Sequence, residues 1–274
     1  MPRRRQGTSL VIGGSGLLGA RLVRRLLSDG RKVRVLDTRH EELGRMKTRQ
    51  DLEFVGVGSN DLHGGMVNKR IVDKATQDVS VVYHLAINWD GSTWKHLLPL
   101  PDLFDTNVRG TFNLLEAARS HNVEQFLFSS SAAVYGETQR TISLEGRSSM
   151  KGVLDEESAC KPHVWKGDPG PAYAILKQAM ENLCLMYHQY GLPVTALRVE
   201  YIFADQEQLD DGANIHVDDV VQAFLLATLN RKAYGQIFNV AYPTPYISTR
   251  KIQRILGWKP HATREFLRTG QVGP

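Results

Sequence analysis

The sequence predicts an α/β fold, a doubly wound parallel sheet with a small, shortened C-terminal lobe. Three observations carry this reading. Apolar runs of strand length alternate with stretches of helical periodicity along most of the chain. The first such run, Leu10-Val11-Ile12, leads into Gly13-Gly14-Ser15-Gly16-Leu17-Leu18-Gly19 and then into a helix. A second strand follows and stops at Asp37. Strands separated by helices pair in parallel through right-handed crossovers, with helices on both faces of the sheet.

Each element has its own signal. The first helix, Leu17–Ser28, sets Leu18, Leu22 and Leu26 on one side and Arg21, Arg24 and Arg25 on the other. Residues 32–37 form the second strand and 52–57 the third, which stops at Gly58-Ser59-Asn60-Asp61. A helix is expected over 67–76. Residues 79–86 are almost wholly apolar, as a strand covered on both faces should be. Residues 89–103 read as a loop, 104–122 as a helix containing Asn107, and 125–130 as the fifth strand. The helix over 173–190 is closed by Gly191-Leu192-Pro193, and Val194–Val199 is the sixth strand. A helix within 214–230, a strand over 236–241 and a short helix over 249–256 complete the order. The sheet domain then comprises 7–198 with 213–241, and the small lobe 199–212 with 242–274. Residues 137–171 are long, polar and without periodicity, which suits a mobile flap.

Composition narrows the class. The 274 residues are 42% hydrophobic and 23% charged, an ordinary globular balance. No apolar run reaches bilayer length, and Met1-Pro2-Arg3-Arg4-Arg5 is unlike a signal peptide. The two cysteines, Cys160 and Cys184, make neither a disulfide framework nor a metal pattern. Together these favour the cytoplasm and no membrane. The net charge of +5 has no basic module with interleaved aromatics behind it, so nucleic acid is not an expected partner. His216 with Asp218 and Asp219 reads as a structural segment, so no metal is expected. Trp89, Trp94 and Trp165 could stack on a substrate or simply pack.

The strand, glycine turn, helix, strand and acid are what a dinucleotide site needs. Glycines let the backbone approach a pyrophosphate, the helix start faces the anion with its N–H groups, and Asp37 can accept both ribose hydroxyls. Tyr173 and Lys177 lie four apart on one helical face. An ammonium beside the phenol should lower its pKa from near 10, making Tyr173 an acid/base. Strand five ends in Ser129-Ser130-Ser131, where a hydroxyl can hold a reacting oxygen and share its proton with a tyrosine.

The chain resembles the extended short-chain dehydrogenase/reductases, specifically the NAD-dependent epimerase/dehydratase family typified by UDP-galactose 4-epimerase. The resemblance runs in order through the glycine turn, Asn60-Asp61-Leu62, His84-Leu85-Ala86 and the segment that begins at Asn107. It continues through Ser129-Ser130-Ser131, Tyr173 with Lys177, Arg198, Ile215-His216-Val217-Asp218-Asp219 and Leu256-Gly257-Trp258. It implies a Rossmann fold and roles for matching positions. Gly13, Gly16 and Gly19, with Leu17 and Leu18 at the helix start, would form the pyrophosphate turn. Asp37 would hold the adenosine ribose. Asp61 and Leu62 would flank the adenine, Leu85 and Ala86 line the cofactor groove, and Asn107 support the site. Ser131 would bind the reacting oxygen, Tyr173 act as acid/base, and Lys177 orient the nicotinamide ribose. Asp37 would repel a 2′-phosphate, which favours NAD; Arg39 is the residue that would serve NADP.

Departures from the family pattern bear on the substrate. Family dehydratases and decarboxylases carry an acid shortly after the strand-five serine or threonine, where this chain has Ala132 and Ala133. The asparagine usual after the strand-six arginine is matched by Tyr201, and a diphosphate-binding arginine falls near Gly212. The segment 200–214 is far shorter than in sugar-nucleotide enzymes. Two readings follow: an NAD-dependent sugar epimerase or oxidoreductase, its small-molecule substrate a nucleotide sugar, or an NAD(P)-dependent dehydrogenase or reductase of a non-nucleotide alcohol or ketone. A homodimer is expected, because the helices over 104–122 and 173–190 match those that pair into four-helix bundles in related enzymes. Met180, Leu183, Met186 and Tyr187 would supply its apolar surface.

Overall fold

The computed structural model of the chain describes residues 7–38, 41–46, 48–56, 65–88, 99–136, 153–161, 170–205, 215–242 and 246–269. The strands are β1 (Thr8–Ile12), β2 (Val33–Asp37), β3 (Leu52–Gly56), β4 (Val79–His84), β5 (Gln125–Ser131), β6 (Val194–Val199), β7 (Ile202–Phe203), β8 (Ile215–His216) and β9 (Gln236–Val240). Seven form one sheet in the order β3-β2-β1-β4-β5-β6-β9, each pairing parallel, while β7 and β8 pair separately. Between β1 and β4 the direction of strand addition reverses. Ligands of doubly wound sheets bind in the crevice beyond the strand ends at such a point.

The helices are α1 (Leu17–Ser28), α2 (Lys69–Thr76), α3 (Leu100–Leu103), α4 (Gly110–Ser120), α5 (Gly170–Gln189), α6 (Val217–Ala227), α7 (Arg250–Leu256) and α8 (His261–Thr269). They cover both faces. On one, Leu22, Leu26, Val220 and Phe224 of α1 and α6 share a core with Val35, Val81 and Leu197 of the sheet. On the other, Val72, Leu114, Met180 and Cys184 of α2, α4 and α5 pack on Val82, Phe126 and Ala196. The alternation of strand side chains between faces is what divides one apolar strand between two cores.

Several boundaries differ from the sequence reading. The expected helix over 104–122 is α4 preceded by α3 and a π-helical segment, Phe104–Arg109, which holds Asn107. The π-helical segment is short and continues directly into α4, so periodicity over the whole stretch reads one ordinary helix. Helix α5 begins earlier than residue 173 and takes in Pro171, whose missing N–H costs nothing in a first turn. Helix α8 was not anticipated; its start is held by Asp219, which accepts the N–H groups of Ala262 (3.0 Å) and Thr263 (2.6 Å). Asp219 and His216, whose Nδ1 accepts the Asp218 N–H at 3.2 Å, are thus structural, and no metal-ligating cluster occurs among the described residues.

Part of the expected flap is pinned down. Leu154 bridges to Ile247, and Tyr135, Ala241 and Ile247 form a third small core against which Leu154 and Cys160 pack. Mobility is therefore the wrong description for Val153–Lys161, and 137–152 and 162–169 lie outside the described residues. Ile252, Leu256 and Trp258 of the C-terminal stretch join the α1 and α6 core, which ties that stretch to the sheet domain. The surface expected on α5 also needs correcting: Met180 and Tyr187 are buried, and the exposed apolar residues of α3 to α5 are Leu100, Phe104, Phe112, Ile175 and Met186.

Candidate active site

The turn after β1 is built by backbone approach. Gly13 has φ +80°, and a Cβ there would lie 2.9 Å from the Ala86 Cα. A Cβ on Gly19 would collide with the Gly13 carbonyl oxygen, so α1 can pack against the turn only with glycine there. At Gly16 a Cβ would meet only the Gly13 oxygen at 3.6 Å, an ordinary contact. Gly16 is therefore not needed for packing, and it is the N-cap of α1, where no side chain covers the helix start. A glycine cradle opening on uncapped helical N–H groups fits the pyrophosphate of a dinucleotide. Leu17 is exposed beside it, whereas the Leu18 side chain belongs to the core, so Leu18 can serve an anion only through its main chain.

Asp37 closes the other side of the turn. Its Oδ2 accepts the Ser15 N–H at 2.7 Å, so the carboxylate braces the glycine turn and is not reserved for ribose hydroxyls. A carboxylate has about four acceptor positions, so both duties are compatible. Leu85 and Ala86 follow β4, and their N–H groups both reach the Ile12 carbonyl at 3.0 Å, which sets them directly beside the turn. Asn107 is fully buried; it accepts the Asn88 N–H (2.7 Å) and donates to the Asn88 carbonyl (3.0 Å). It acts on the site by fixing the segment after β4, not by reaching into the crevice. Arg39, Asp61 and Leu62, like Gly212 and the tryptophans 89, 94 and 165, lie outside the described residues.

The three serines ending β5 have separate partners. The Ser129 carbonyl accepts from Lys177 Nζ at 2.7 Å. Ser130 Oγ donates to Glu181 Oε2 at 2.6 Å. Ser131 Oγ accepts the Ala133 N–H at 3.2 Å and hydrogen-bonds the Tyr173 phenol. The structure thus brings Ser131, Tyr173 and Lys177 together. Lys177 is 2% exposed, and burial pushes its pKa down to about 7. Its Nζ stands 5.8 Å from the Tyr173 ring centre. The expected lowering of the Tyr173 pKa is not found: burial raises it, the Glu200 charge adds to that, and the Ser131 hydrogen bond works against it. The desolvation of phenol and lysine together outweighs their spacing on the helix, which alone suggested the opposite sign. His84 sits beneath, hydrogen-bonded to Thr111 Oγ1 at 2.8 Å and held neutral by burial and the Lys177 charge, with its pKa lowered to about 3.

The sequence reading named Arg198 without a partner and left out Glu181 and Glu200. Glu181 and Arg198 form a buried bidentate pair at 2.7 and 3.1 Å, and Arg198 also donates to Tyr135 Oη at 2.8 Å. Glu200 directly follows the same strand, 7% exposed, with Oε2 lacking a hydrogen-bond partner. The available signal was the polar alternation Arg198, Glu200 in an otherwise apolar strand. Tyr201, the expected match to a family asparagine, is exposed.

The model of the NAD dependent epimerase/dehydratase family matches residues 9–214, three quarters of the chain. The chain belongs to that family. Among curated proteins, this family member is 28% identical over 197 residues to GDP-mannose 3,5-epimerase 1 of Oryza sativa subsp. indica, covering 70% of the chain and 46% of the relative. It is 26% identical over 276 residues to the uncharacterized UDP-glucose epimerase YtcB of Bacillus subtilis strain 168, covering 95% of the chain and 76% of the relative. The chain spans less than half the length of the rice relative and 23% of the bifunctional protein gal10 of Schizosaccharomyces pombe. Among solved structures, UDP-glucuronic acid 4-epimerase of Bacillus cereus, in complex with UDP-glucuronic acid and NAD, aligns with a TM-score of 0.73 at 19% identity, covering 96% of this chain and 97% of that one. At such identity the likeness establishes the fold, and the functional argument rests on the residues.

Proposed function

We propose that the chain is an NAD-dependent enzyme that moves hydride at a carbinol carbon of a sugar, with a nucleotide sugar as the substrate class. The observation that carries this is the meeting of Ser131, Tyr173 and Lys177 at the end of β5, beside the crevice lined by the glycine turn and Asp37. Gly13, Gly16, Gly19 and the start of α1 would hold the pyrophosphate and Asp37 the adenosine ribose; Leu85 and Ala86 would line the groove. Arg39, Asp61 and Leu62 keep the roles the family resemblance implies. Bound NAD would supply the hydride acceptor and donor. Tyr173, raised by burial in the free protein, would act as phenolate once the positive charge of the oxidised nicotinamide offsets that burial; it would then take the substrate hydroxyl proton and later return it, with Ser131 holding the reacting oxygen and Lys177 orienting the ribose. Epimerisation would follow if the keto sugar presented its opposite face for reduction while Ser131 and Tyr173 kept hold of its oxygen.

The relatives named as GDP-mannose and UDP-glucose epimerases support this reading, as does the neighbour holding UDP-glucuronic acid and NAD. Ala132 and Ala133 argue against dehydration and decarboxylation. The short segment 200–214 favours a second reading, a dehydrogenase or reductase of a smaller substrate without a nucleotide. In this scheme 7–198 with 213–241 serve the cofactor, and 199–212 with 242–274 the substrate. The exposed Phe104, Phe112, Ile175 and Met186 support a homodimer through α4 and α5. The thiols of Cys160 and Cys184 are both free, which suits the cytoplasm, and no helix of the described residues is long and apolar enough to cross a membrane. NADH absorbance, followed over a panel of sugar nucleotides and small alcohols, separates the two readings. Conversion of UDP-glucose to its epimer without net NADH supports the first, and stoichiometric NADH from a small alcohol supports the second.

A further inference from the structure

Among the described residues, Glu200 is an acid at this end of the sheet that neither the fold nor the proposed chemistry uses. Its position is set by the sheet. Val199 pairs with Ser131, and the Glu200 N–H continues the ladder to the Val240 carbonyl at 3.0 Å. By strand alternation its side chain leaves on the same side as Arg198, towards α5, which carries Tyr173. There it lies within electrostatic reach of the Tyr173 phenol. The Tyr201 N–H assists its carboxyl, but Oε2 is shielded from water and has no hydrogen-bond partner. The nearby cations are engaged elsewhere: Arg198 with Glu181 and Tyr135, Lys177 with the Ser129 carbonyl.

An unsatisfied buried carboxyl costs folding free energy and is found where function requires it. Burial without a cation favours the neutral acid, and the Glu200 pKa is raised to about 7. A neutral carboxyl both donates and accepts, which matches a hydroxyl and not an ammonium. We infer that Glu200 is a specificity-determining residue whose carboxyl, with access to Oε2 opened when the substrate binds, hydrogen-bonds a substrate hydroxyl next to the carbon presented to Tyr173. This rests on the proposed hydride transfer at a sugar carbinol and deepens it: the substrate must carry a vicinal hydroxyl, and the group that reads it comes from β6, not from the turn after β5.

The test compares Glu200→Gln and Glu200→Leu in the NAD-loaded full chain, with UDP-glucose and UDP-glucuronic acid as probes. Glu200→Leu should lower kcat/KM roughly 10-fold or more, the loss expected for one substrate hydrogen bond. Its NAD affinity should be unchanged and its melting temperature equal to or above wild type, because a buried carboxyl without a partner is removed. Glu200→Gln keeps a neutral donor and acceptor and should stay within about threefold of wild type. A Glu200→Leu protein that melts below wild type, or loses NAD affinity in step with kcat/KM, assigns Glu200 to the fold and overturns the inference. So does wild-type kcat/KM in Glu200→Leu. Equal losses in both variants overturn the neutral hydroxyl contact. A wild type that turns over neither probe overturns the nucleotide-sugar reading and this inference with it; an active wild type with an equally active Glu200→Leu overturns the inference alone.

Discussion

The glycine turn after β1 and the joined ends of β5 and β6 lie at the same, carboxyl, end of the parallel sheet but are held in different ways. The turn is held by main-chain contacts and one carboxylate: Gly13 N–H to the Leu36 carbonyl at 3.0 Å, Ser15 N–H to Asp37 at 2.7 Å. These hydrogen-bond partners come from one strand–helix–strand unit. The β5 and β6 ends are held by side chains that meet from distant parts of the chain. Ser130 reaches Glu181, 51 residues on, and Tyr135 reaches Asn239, 104 residues on. The first arrangement suits an invariant ligand part, the pyrophosphate we propose for it. The second is a polar network whose members can be exchanged singly, which is where a fold that hosts many chemistries can change its substrate.

This contrast can be broken or sharpened by experiment. The largest effect should come from Tyr173→Phe, which removes the proton relay and should cost about 10²–10⁴-fold in turnover while leaving NAD affinity intact by titration calorimetry. A near wild-type rate would move the chemistry away from the β5 end. Glu181→Ala leaves Arg198 charged in a buried site and should destabilise the fold by roughly 3–5 kcal/mol in urea unfolding. Glu53→Ala, which removes the exposed partner of Arg34, should stay within about 1 kcal/mol.

Within the turn, Gly19→Val should lose both stability and NAD binding, since its Cβ collides with the Gly13 carbonyl. Gly16→Val should melt close to wild type yet lose NAD binding, because space for a Cβ exists there only until the phosphate arrives. Equal melting losses in the two would show that the turn is not a preformed receptor. Asp37→Asn should narrow the preference of NAD over NADP in calorimetry, and an unchanged ratio would remove the carboxylate from cofactor selection.

The pH dependence of stability tests the same contrast from the side of Glu200. The folded-state pKa of Glu200 is raised above its unfolded value, from 4.5 to about 7. Its contribution is then fully present below about pH 4.5 and is lost as pH rises through about 7. Wild type should therefore lose melting temperature relative to Glu200→Gln between pH 5 and 7.5. Parallel curves would mean that the carboxyl is already compensated in the folded protein.

The sequence by itself determined the sheet, the glycine turn and the pairing of Tyr173 with Lys177, because each is written in short-range spacing: period two or 3.6, glycines three apart, an acid at a strand end. It also singled out Ser131 among three serines through the family resemblance. The tertiary structure alone decided the rest. Desolvation around Tyr173 reversed the expected direction of its pKa, since burial is a property of everything packed around a group and not of its helix neighbour. Packing turned Met180 and Tyr187 from expected surface into core. The pairing of Glu181 with Arg198 and the isolation of Glu200 depend on which strands become neighbours, and a strand's own residues carry no record of what will lie beside them.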